Sequence, residues 1–575
     1  MPYTVADHIA LALRRQGVEC VFGQSLPNDF QVAAERHGIR VLVYRSEDSG
    51  AGMADGYART SRRVGVVAAQ IGPGATLLVP PLVEALRAST PMLALVQDVA
   101  RTDHDCNGFQ AFDYKMLFNS CTKGIQRLND SARIEADIAL ALVRATSGRP
   151  GPVALLVPSD LLVAPAVEQP VSRTPLGICP LDRPRPSDGA INLAAELIAS
   201  AQHPLVIAGG GIHGSGASQE LALLQELASL PVATTTVGKG AVSERHELSV
   251  GTIGYATDSH SLSHSLSQMV AGADVILLLG IGTNDGGADS WRLLPEKATY
   301  VQLDIDPEEV GRNCTAVRLV GDVRTGLEAL INRLKTMNLS LRNQSREATV
   351  TLVANVRQTD WSDIEAVALS GQVPIRPEHV MSELNRLLTA DDIVVADESY
   401  ATIWTVAYLR SQRAGQRFLL SHGLPAPGCG LPLALGAKVA FPDQIVLCLT
   451  SDGAFAHNWK ELTTAVRESL PVTIILLNNG VLGLHERYEL NGFSQCTPAI
   501  KGASVDHVAI ARACGAAGLR VDEPAHLHEA LAEALVSDVP TLVEVMTDPA
   551  AYPAITQWDH SEALAVQTQA ALHVL

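Results

Sequence analysis

Short apolar runs that end in polar or glycine-containing turns recur along this chain, and amphipathic segments of helical length separate them. Residues 445–449 form such a run and predict a buried parallel strand. Apolar residues at helical spacing follow in 458–470, Pro471 ends that predicted helix, and 472–477 predict the next strand. Strands that alternate with helices in this way are typical of a doubly wound α/β domain with a mainly parallel sheet.

The alternation occurs three times, and a chain of 575 residues is too long for one core, so the predicted fold class is α/β with three doubly wound domains. The domains are assigned to residues 1–170, 187–345 and 370–555, with a helical tail at 556–575. A proline-rich linker at about 165–187 and a polar connector after the predicted helix 323–334 separate them. The other predicted strands are residues 18–22, 39–43, 64–69, 92–97, 204–208, 232–235, 275–279, 300–304 and 393–396.

Polar side chains stand at the carboxyl ends of two predicted strands in the third domain. Ser451-Asp452-Gly453 follows the first of them and Asn478-Asn479 follows the second. Because neighbouring parallel strands end at the same edge of a sheet, Asp452 and Asn479 are expected to face one ligand. A carboxylate, an amide oxygen and a turn carbonyl suit Mg²⁺ bound together with a diphosphate. The alternative is an ordinary surface acid at a strand–turn–helix connection.

Composition and charge narrow the class of protein. The chain is 47% apolar and 18% charged, and its net charge of −18 argues against nucleic acid and anionic membranes as partners. The nine cysteines are scattered without a C-x-x-C pair, which favours free thiols in a reducing compartment. The N-terminus lacks a signal-peptide pattern and no apolar run approaches transmembrane length, so a cytoplasmic enzyme is expected.

Several motifs in chain order carry a resemblance to a known family. The spacing from Asp452 to Asn479 is that of the thiamine diphosphate (ThDP) motif, with Ser451 where Gly is usual. Glu47 precedes the segment Ala51-Gly52-Met53-Ala54-Asp55-Gly56-Tyr57-Ala58-Arg59. Further matching motifs are Gly72-Pro73-Gly74, Phe109-Gln110, Thr122-Lys123, Gly148-Arg149-Pro150-Gly151-Pro152-Val153 and the glycine-rich segment 428–437. Over nearly its whole length the chain resembles the ThDP-dependent 2-oxo acid decarboxylase and carboligase superfamily, most closely its acetolactate-synthase-like branch.

The resemblance implies a role for each domain: the first binds the pyrimidine, the central one is a degenerate nucleotide-binding fold, and the third binds the diphosphate and Mg²⁺. The implied catalytic residues are Glu47, which activates the cofactor, and Gln110, Asn28 and Gln70. The implied metal ligands are Asp452, Asn479 and the carbonyl of Val481. The remaining implied cofactor-binding residues are Glu398, Ser399, Tyr400, Pro425, Pro427, Gly453, Ala454 and Leu482.

The resemblance also bears on partners and on a second cofactor. A homodimer or homotetramer with active sites at the subunit interface is expected, so that Glu47 and Asp452 of different subunits act together. Some members of the superfamily hold FAD in the central domain and others hold nothing catalytic there. The glycine turn 209–216 does not keep the G-x-G-x-x-G spacing, so FAD remains possible rather than predicted.

The departures from the family pattern concern the substrate. No Arg occurs in 279–285, where acetolactate synthases carry the Arg that grips the second 2-oxo acid, which argues against simple condensation of two pyruvates. Asn28 and Gln70 stand where other members place a His. Amides would therefore orient the substrate, with Lys123 as a further candidate for the pocket.

Four other positions near the expected cofactor differ or are ambiguous. Pro427 stands at the position that bends the cofactor, where Met, Ile or Leu is usual, and Tyr488 aligns with an aromatic residue that favours larger acceptors. His422 and His485 fall near the approach to the cofactor, where each serves equally well as a structural histidine or as a proton donor.

The predicted function is a ThDP- and Mg²⁺-dependent enzyme that acts on 2-oxo acids or related carbonyl compounds by decarboxylation followed by carboligation. One alternative is a C–C lyase or 1,2-dione hydrolase that uses the same cofactor without decarboxylation. A second is a non-catalytic regulatory homologue, against which the intact Glu47, Asp452 and Asn479 argue. A nucleotide-dependent oxidoreductase rests on the central glycine turn alone.

Overall fold

The structure is a computed structural model. It describes residues 3–171, 175–254, 264–283, 294–421, 423–424 and 426–553, without the side chains of 264 and 358–366. The predicted tail at 556–575, His422 and Pro425 therefore lie outside the described residues. Within the described residues there are three six-stranded sheets, and every paired strand runs parallel to its neighbour. The predicted class of three α/β domains is confirmed.

The first sheet and its helices occupy the N-terminal third of the chain. Its strands are β1 (Cys20–Gly23), β2 (Arg40–Leu42), β3 (Gly65–Ala69), β4 (Met92–Asp98), β5 (Gly124–Arg127) and β6 (Pro152–Pro158). Its helices are α1 (Val5–Arg15), α2 (Asn28–Arg36), α3 (Glu47–Ser61), α4 (Pro73–Leu77), α5 (Val79–Arg87), α6 (Tyr114–Asn119), α7 (Ile134–Thr146) and α8 (Ser159–Leu162).

The central sheet and its helices follow. The strands are β7 (Pro204–Ala208), β8 (Val232–Thr235), β9 (Ser249–Ile253), β10 (Val275–Leu279), β11 (Thr299–Asp304) and β12 (Ala316–Val320). The helices are α9 (Asp188–Ser200), α10 (Gly211–Ser215), α11 (Ser218–Leu227), α12 (His264–Ala271), α13 (Val323–Leu334) and α14 (Ser340–Ala368). β7 and β10 are buried along their whole length, as strands covered by helices on both faces must be.

The third sheet completes the described chain. Its strands are β13 (Ile393–Ala396), β14 (Phe418–Leu419), β15 (Val446–Ser451), β16 (Thr473–Asn478), β17 (Ala517–Val521) and β18 (Thr541–Met546). Its helices are α15 (Pro377–Leu387), α16 (Tyr400–Tyr408), α17 (Gly430–Ala440), α18 (Asp452–Asn458), α19 (Leu462–Arg467), α20 (Gly483–Phe493), α21 (His507–Ala513) and α22 (Leu527–Leu535).

Strand order relates the first and third domains to each other and sets the central one apart. The first sheet has the order β2-β1-β3-β4-β6-β5 and the third has β14-β13-β15-β16-β18-β17, which is the same permutation. The central order, β12-β11-β10-β7-β8-β9, is that of a dinucleotide-binding fold. In such sheets, ligands bind outside the carboxyl ends of the strands where the strand order reverses.

Helices α3 and α17 join the first and third domains in one core. A Cβ atom added to Gly52 would lie 2.9 Å from the Cβ of Pro432, and one added to Gly56 would collide with the Leu433 carbonyl. Met53 and Leu433 belong to the same buried cluster. The small residues of α3 thus allow the two helices to pack closely.

Two of the predicted elements are wrong. The stretch expected as a polar connector forms the long helix α14, because Val353 and Val356 pack on the central domain and buried Arg342 donates to the Ala201 carbonyl at 2.9 Å. Its apolar positions are too few to show helical periodicity. The single helix expected at 458–470 is instead α18, which begins at Asp452, a 3₁₀ turn and then α19. Among the helices described, none is long and apolar enough to cross a membrane.

Candidate active site

The ends of β15 and β16 lie side by side, as the strand pattern predicts. The two strands pair in parallel, with Ser451 opposite Leu477, and α18 begins directly with Asp452. The Asp452 carboxylate accepts a hydrogen bond from the Gly480 amide. The side-chain oxygen of Asn479 accepts from the Val481 amide at 3.2 Å. The three predicted metal ligands therefore belong to one turn pair at the edge of the third sheet.

This set of donors suits a hard divalent cation that carries other ligands of its own. It offers one carboxylate, one amide oxygen and one main-chain carbonyl, the kind of oxygen set that Mg²⁺ takes together with phosphate groups. No group of three His, Cys, Asp or Glu side chains able to hold a metal occurs in the described part of the chain. Burial raises the pKa of Asp452, and a bound cation would favour its charged form again.

The turn after β13 forms the opposite wall. Ser399 caps α16 by accepting a hydrogen bond from the Ala401 amide at 3.1 Å, and burial raises the pKa of Glu398, which accepts from the Ser421 hydroxyl. The ring of Tyr400 lies against Gly483, where an added Cβ would come within 2.8 Å of it. The turn that carries the implied cofactor-binding residues 398–400 and the turn that carries the predicted metal ligands therefore face each other.

Both walls line one cavity of about 1090 Å³. The predicted cofactor-binding residues that line it are Glu398, Ser399, Tyr400, Pro427, Gly453, Ala454, Asn479, Val481 and Leu482. Asp452 is half-buried between two lining residues, Ser451 and Gly453. His485 also lines the cavity, with an exposed side chain. Pro425 lies outside the described residues.

A second cluster gathers three of the four predicted catalytic residues in the first domain. A Cβ atom added to Gly74 would lie 2.7 Å from Oε1 of Glu47 and 2.7 Å from Cγ of Gln70. A Cβ atom added to Gly72 would lie 2.8 Å from Cδ of Gln110. The three side chains therefore lie directly against the Gly72-Pro73-Gly74 turn. Only glycine, which has no Cβ, fits at positions 72 and 74. We call Glu47, Gln70 and Gln110 the glutamate cluster.

The glutamate cluster and the cavity are separate within one chain. Among the described residues that line the cavity, none of the three cluster residues occurs. The fourth predicted catalytic residue, Asn28, begins α2 with an exposed side chain, so its role stays a prediction. The predicted site residues of each chain therefore form two separate groups, the glutamate cluster at the edge of the first sheet and the metal turn at the edge of the third, and we call these groups the half-sites.

Comparison with known proteins identifies the family of this chain. Residues 3–117 match the N-terminal TPP binding domain of thiamine pyrophosphate enzymes, 191–330 match their central domain, and 398–545 match their C-terminal TPP binding domain. Thiamine pyrophosphate is another name for ThDP. The chain belongs to the thiamine pyrophosphate enzyme family.

Curated relatives within this family carry acetolactate synthase names. A probable acetolactate synthase large subunit of Methanococcus aeolicus is 33% identical over 95% of this chain and 92% of its own length. The chloroplastic acetolactate synthase of Arabidopsis thaliana is 32% identical over 95% of this chain and 81% of its own length. The acetolactate synthase isozyme 3 large subunit of Escherichia coli is 29% identical, with 92% of each chain covered. This thiamine pyrophosphate enzyme is therefore acetolactate-synthase-like, as the sequence predicts.

The cavity of this thiamine pyrophosphate enzyme extends into its central domain. His213 and Glu309 line that arm and are buried, yet His213 Nδ1 and Glu309 Oε2 have no hydrogen-bond partner among the described residues. His213 Nε2 lies 3.0 Å from the Lys239 carbonyl, and burial lowers the pKa of His213 to about 4. The neutral ring therefore donates through Nε2 and leaves Nδ1 as an acceptor. Both atoms are free to accept a hydrogen bond from a group that enters this arm of the cavity.

Lys123 does not line the cavity, and its candidacy for the substrate pocket stays a prediction. Its Nζ donates to the Ser147 carbonyl at 2.5 Å, at the residue that follows α7. Tyr488 is exposed on α20, with its ring 6.1 Å from that of Phe493. Its role toward an acceptor stays a prediction.

Asp397 is a site residue that the sequence analysis does not single out. It is buried at the end of β13, and its carboxylate accepts from the Glu398 amide at 2.8 Å, the Gly428 amide at 2.9 Å and the Thr450 hydroxyl at 2.9 Å. It thereby ties the 426–430 loop to the turn after β13. The position of Asp397 directly after an apolar strand is the sequence signal that indicates it as a site residue.

Glu544 is the second residue that the sequence analysis misses. It is fully buried on β18, and its Oε1 accepts from Asn478 Nδ2 at 2.8 Å and lies 2.7 Å from His507 Nδ1. Its Oε2 accepts from Arg520 Nε at 3.0 Å and from Nη2 at 2.7 Å. Since Glu544 takes the amide NH₂ of Asn478, the Asn478 oxygen is turned toward the Gly480 amide, 3.2 Å away. Glu544 thus shapes the turn that carries Asn479.

Proposed function

We propose that this chain is a ThDP- and Mg²⁺-dependent carboligase that acts on a 2-oxo acid or related carbonyl compound, by decarboxylation followed by addition to a second carbonyl. The observation that carries the proposal is the pairing of Asp452 and Asn479 at adjoining strand ends, opposite the turn that begins α16. Membership of the thiamine pyrophosphate family and the acetolactate synthase names of its relatives support it.

The third domain would hold the cofactor's charged end. Asp452, Asn479 and the Val481 carbonyl would bind Mg²⁺, and the hydroxyl and amide groups of Ser399 and Tyr400 would bind diphosphate oxygens. When bound, ThDP would supply the carbon that adds to the substrate carbonyl and would accept the electron pair that stays behind when CO₂ leaves. All the protein must do besides is orient these groups and move protons.

The glutamate cluster would transfer protons and orient the substrate. The Glu47 carboxylate would exchange a proton with the pyrimidine ring of the cofactor. The amides of Gln70 and Gln110 would orient the substrate through hydrogen bonds without offering an acidic proton. A site poor in proton donors suits joining two carbonyl compounds, because protons must be kept from the reacting carbon until the new bond forms.

A second copy of the chain would unite the two half-sites. Large apolar side chains are exposed beside each of them: Phe109, Phe112 and Met116 next to Gln110, and Leu482, Tyr488 and Phe493 next to the metal turn. Exposed apolar patches of this kind mark association surfaces. A homodimer, or a homotetramer built from such dimers, would place the glutamate cluster of one copy over the cavity of the other and bury both patches.

FAD is proposed as the ligand of the central arm. The unpartnered acceptors His213 Nδ1 and Glu309 Oε2 suit the hydroxyl groups of its ribityl and ribose parts, and the sheet order is that of a dinucleotide-binding fold. Arg149, which donates to Glu309 Oε1 at 3.0 Å, offers a positive charge at the edge of the arm. An absorbance spectrum of the purified protein tests this, since bound flavin absorbs in the visible range and an empty arm does not.

Product analysis by NMR tests the main proposal. The protein is given ThDP, Mg²⁺ and a panel of 2-oxo acids, with and without aldehyde or ketone acceptors. A ligation product that requires both ThDP and Mg²⁺ supports the proposal, and acetolactate from pyruvate alone would show that another group replaces the missing Arg. Cleavage of a dicarbonyl compound without loss of CO₂ would instead favour the lyase alternative. A cytoplasmic location, expected from the scattered cysteines, all nine of which are free, stays a prediction.

A further inference from the structure

The hydroxyl of Tyr114 donates one hydrogen bond and accepts another, and it thereby connects two loops of the first domain. The side chain is buried at the start of α6, in the same apolar cluster as Ile71 and Ala75, which flank the Gly72-Pro73-Gly74 turn. Its hydroxyl donates to the Gln110 carbonyl at 2.6 Å and accepts from the Gly72 amide at 2.7 Å. One buried group therefore joins the exposed loop before α6 to the glycine turn against which the side chains of Glu47 and Gln70 lie.

The loop needs such a connection because its backbone is strained. Gln110 has a φ of 59°, in the left-handed region, which costs a residue with a Cβ about 1 kcal/mol or more. Asp105 and Asn107 have φ values of 63° and 53°, and the side chains around them are exposed. Within one chain, packing therefore contributes little to this conformation. The Ala111 amide closes the turn around Gln110 by donating to the Gly108 carbonyl at 3.0 Å, and the hydrogen bond from the Tyr114 hydroxyl to the Gln110 carbonyl ties this turn to the rest of the domain.

The conformation matters because it aims the side chain. With Gln110 left-handed, its side chain lies over Gly72, where an added Cβ would come within 2.8 Å of it. Gly74, two residues on, supports Glu47 and Gln70 in the same way. A residue in the ordinary right-handed or extended conformation would direct its side chain elsewhere, and the amide would leave the cluster.

We propose that Tyr114 is a positioning residue, whose hydroxyl sets the Gln110 amide beside Glu47 for the reaction. The inference rests on the proposed function for what the amide does, but the connection itself does not depend on it. Burial raises the pKa of Tyr114, so the hydroxyl keeps the proton that it donates. If the ring of Tyr114 only filled space, phenylalanine would serve equally well at this position.

The test compares Tyr114→Phe, Gln110→Ala and the double variant with the wild-type enzyme. Tyr114→Phe should lower kcat by about tenfold to a hundredfold, as misplacement of a catalytic group does, while the ThDP concentration for half-activation and the melting temperature stay near those of wild type. In the Gln110→Ala background the same change should have almost no further effect, because the amide it positions is gone. Effects that multiply in the double variant would overturn the proposal.

Tyr300→Phe is the matched control. Its hydroxyl also donates to a main-chain carbonyl, that of Pro295 at 2.9 Å, but it lies in the central domain away from both half-sites. It should leave kcat unchanged.

A second measurement decides the connection without any activity. Hydrogen exchange at the Gly72 and Ala111 amides should be faster in Tyr114→Phe than in wild type or Tyr300→Phe, because Gly72 loses its acceptor and the turn that Ala111 closes is no longer held. Equal exchange rates in the three proteins would overturn the connection. A wild-type enzyme that is inactive on the whole substrate panel would refute the proposed function alone, and the exchange rates would still decide the role of Tyr114 in the loop.

Discussion

Replacing Glu544 by glutamine should weaken Mg²⁺ binding, although Glu544 is not itself a predicted metal ligand. The carboxylate is fully buried and receives hydrogen bonds from Asn478 and Arg520, with His507 2.7 Å away. All these neighbours present N–H groups. A glutamine keeps the shape of the side chain but turns an NH₂ group toward one of them, so that two donors face each other in a buried place.

Two magnitudes follow from these contacts. Breaking a buried charged pair costs about 3–5 kcal/mol. The Arg520 side chain is 39% exposed, so water replaces part of its hydrogen bonding. The free energy of unfolding should therefore fall by about 2–3 kcal/mol. The Asn478 amide then no longer holds the Gly480 turn. Loss of a group that orients a metal ligand lowers affinity by about tenfold to a hundredfold, and the same loss is expected for Mg²⁺ in the presence of ThDP.

The assay pairs urea unfolding with a Mg²⁺ titration, read out both by calorimetry with ThDP and by activity. The control is Glu383→Gln, since Glu383 is also a buried carboxylate of the third domain, bonded to Arg386 at 2.7 Å, but does not line the cavity. Both variants should lose stability, and only Glu544→Gln should need more Mg²⁺, with kcat near wild type at saturation. Identical Mg²⁺ titrations for the two variants would refute the reasoning.

Three further predictions follow from other contacts. Inactive Glu47→Gln and Asp452→Ala variants should regain activity when mixed and refolded together, since a mixed dimer has one site with both half-sites intact; persistent inactivity would argue against sites shared between chains. Gly56→Ala should destabilise the protein, because its Cβ would collide with a carbonyl of α17, whereas Gly189→Ala, with nothing within 4 Å, should stabilise it by up to about 1 kcal/mol in urea unfolding. Burial lowers the pKa of His213 to about 4 from 6.5, so the unfolded chain takes up this proton first as pH falls, and stability should drop between pH 6.5 and pH 4. In His213→Gln, urea unfolding across that range should lack this part of the drop, up to about 3 kcal/mol, and an unchanged slope would show that His213 is not buried as neutral imidazole.

Much of the third domain follows from local pattern. The runs read as strands at 393–396 and 472–477 are β13 and β16 to within a residue or so, because a strand covered on both faces must be apolar along its whole length. The polar residues that end such runs then lie at the edge of the sheet. The sequence alone therefore predicts that Asp452 and Asn479 lie close to each other.

The residues that the sequence analysis misses share one property: their partners are far away along the chain. Glu544 bonds to Asn478 and Arg520, and Asp397 bonds to Gly428 and Thr450. A single sequence carries no signal for such pairs, because the acid looks like any other near a strand. Helix α14 fails for a related reason, since packing on the central domain, rather than its own periodicity, stabilises it.

The sequence by itself determined the class of fold, the family and the types of atom offered to a cofactor, because these depend on hydrophobic period and on residues at fixed short spacing. Only the tertiary structure decided that the glutamate cluster and the cavity are separate within one chain, that Lys123 donates to the Ser147 carbonyl and that Tyr114 joins Gln110 to Gly72. The physical reason is that hydrogen bonds and close packing act over a few ångströms in space, and the chain brings those atoms together only when its sheets and helices have assembled.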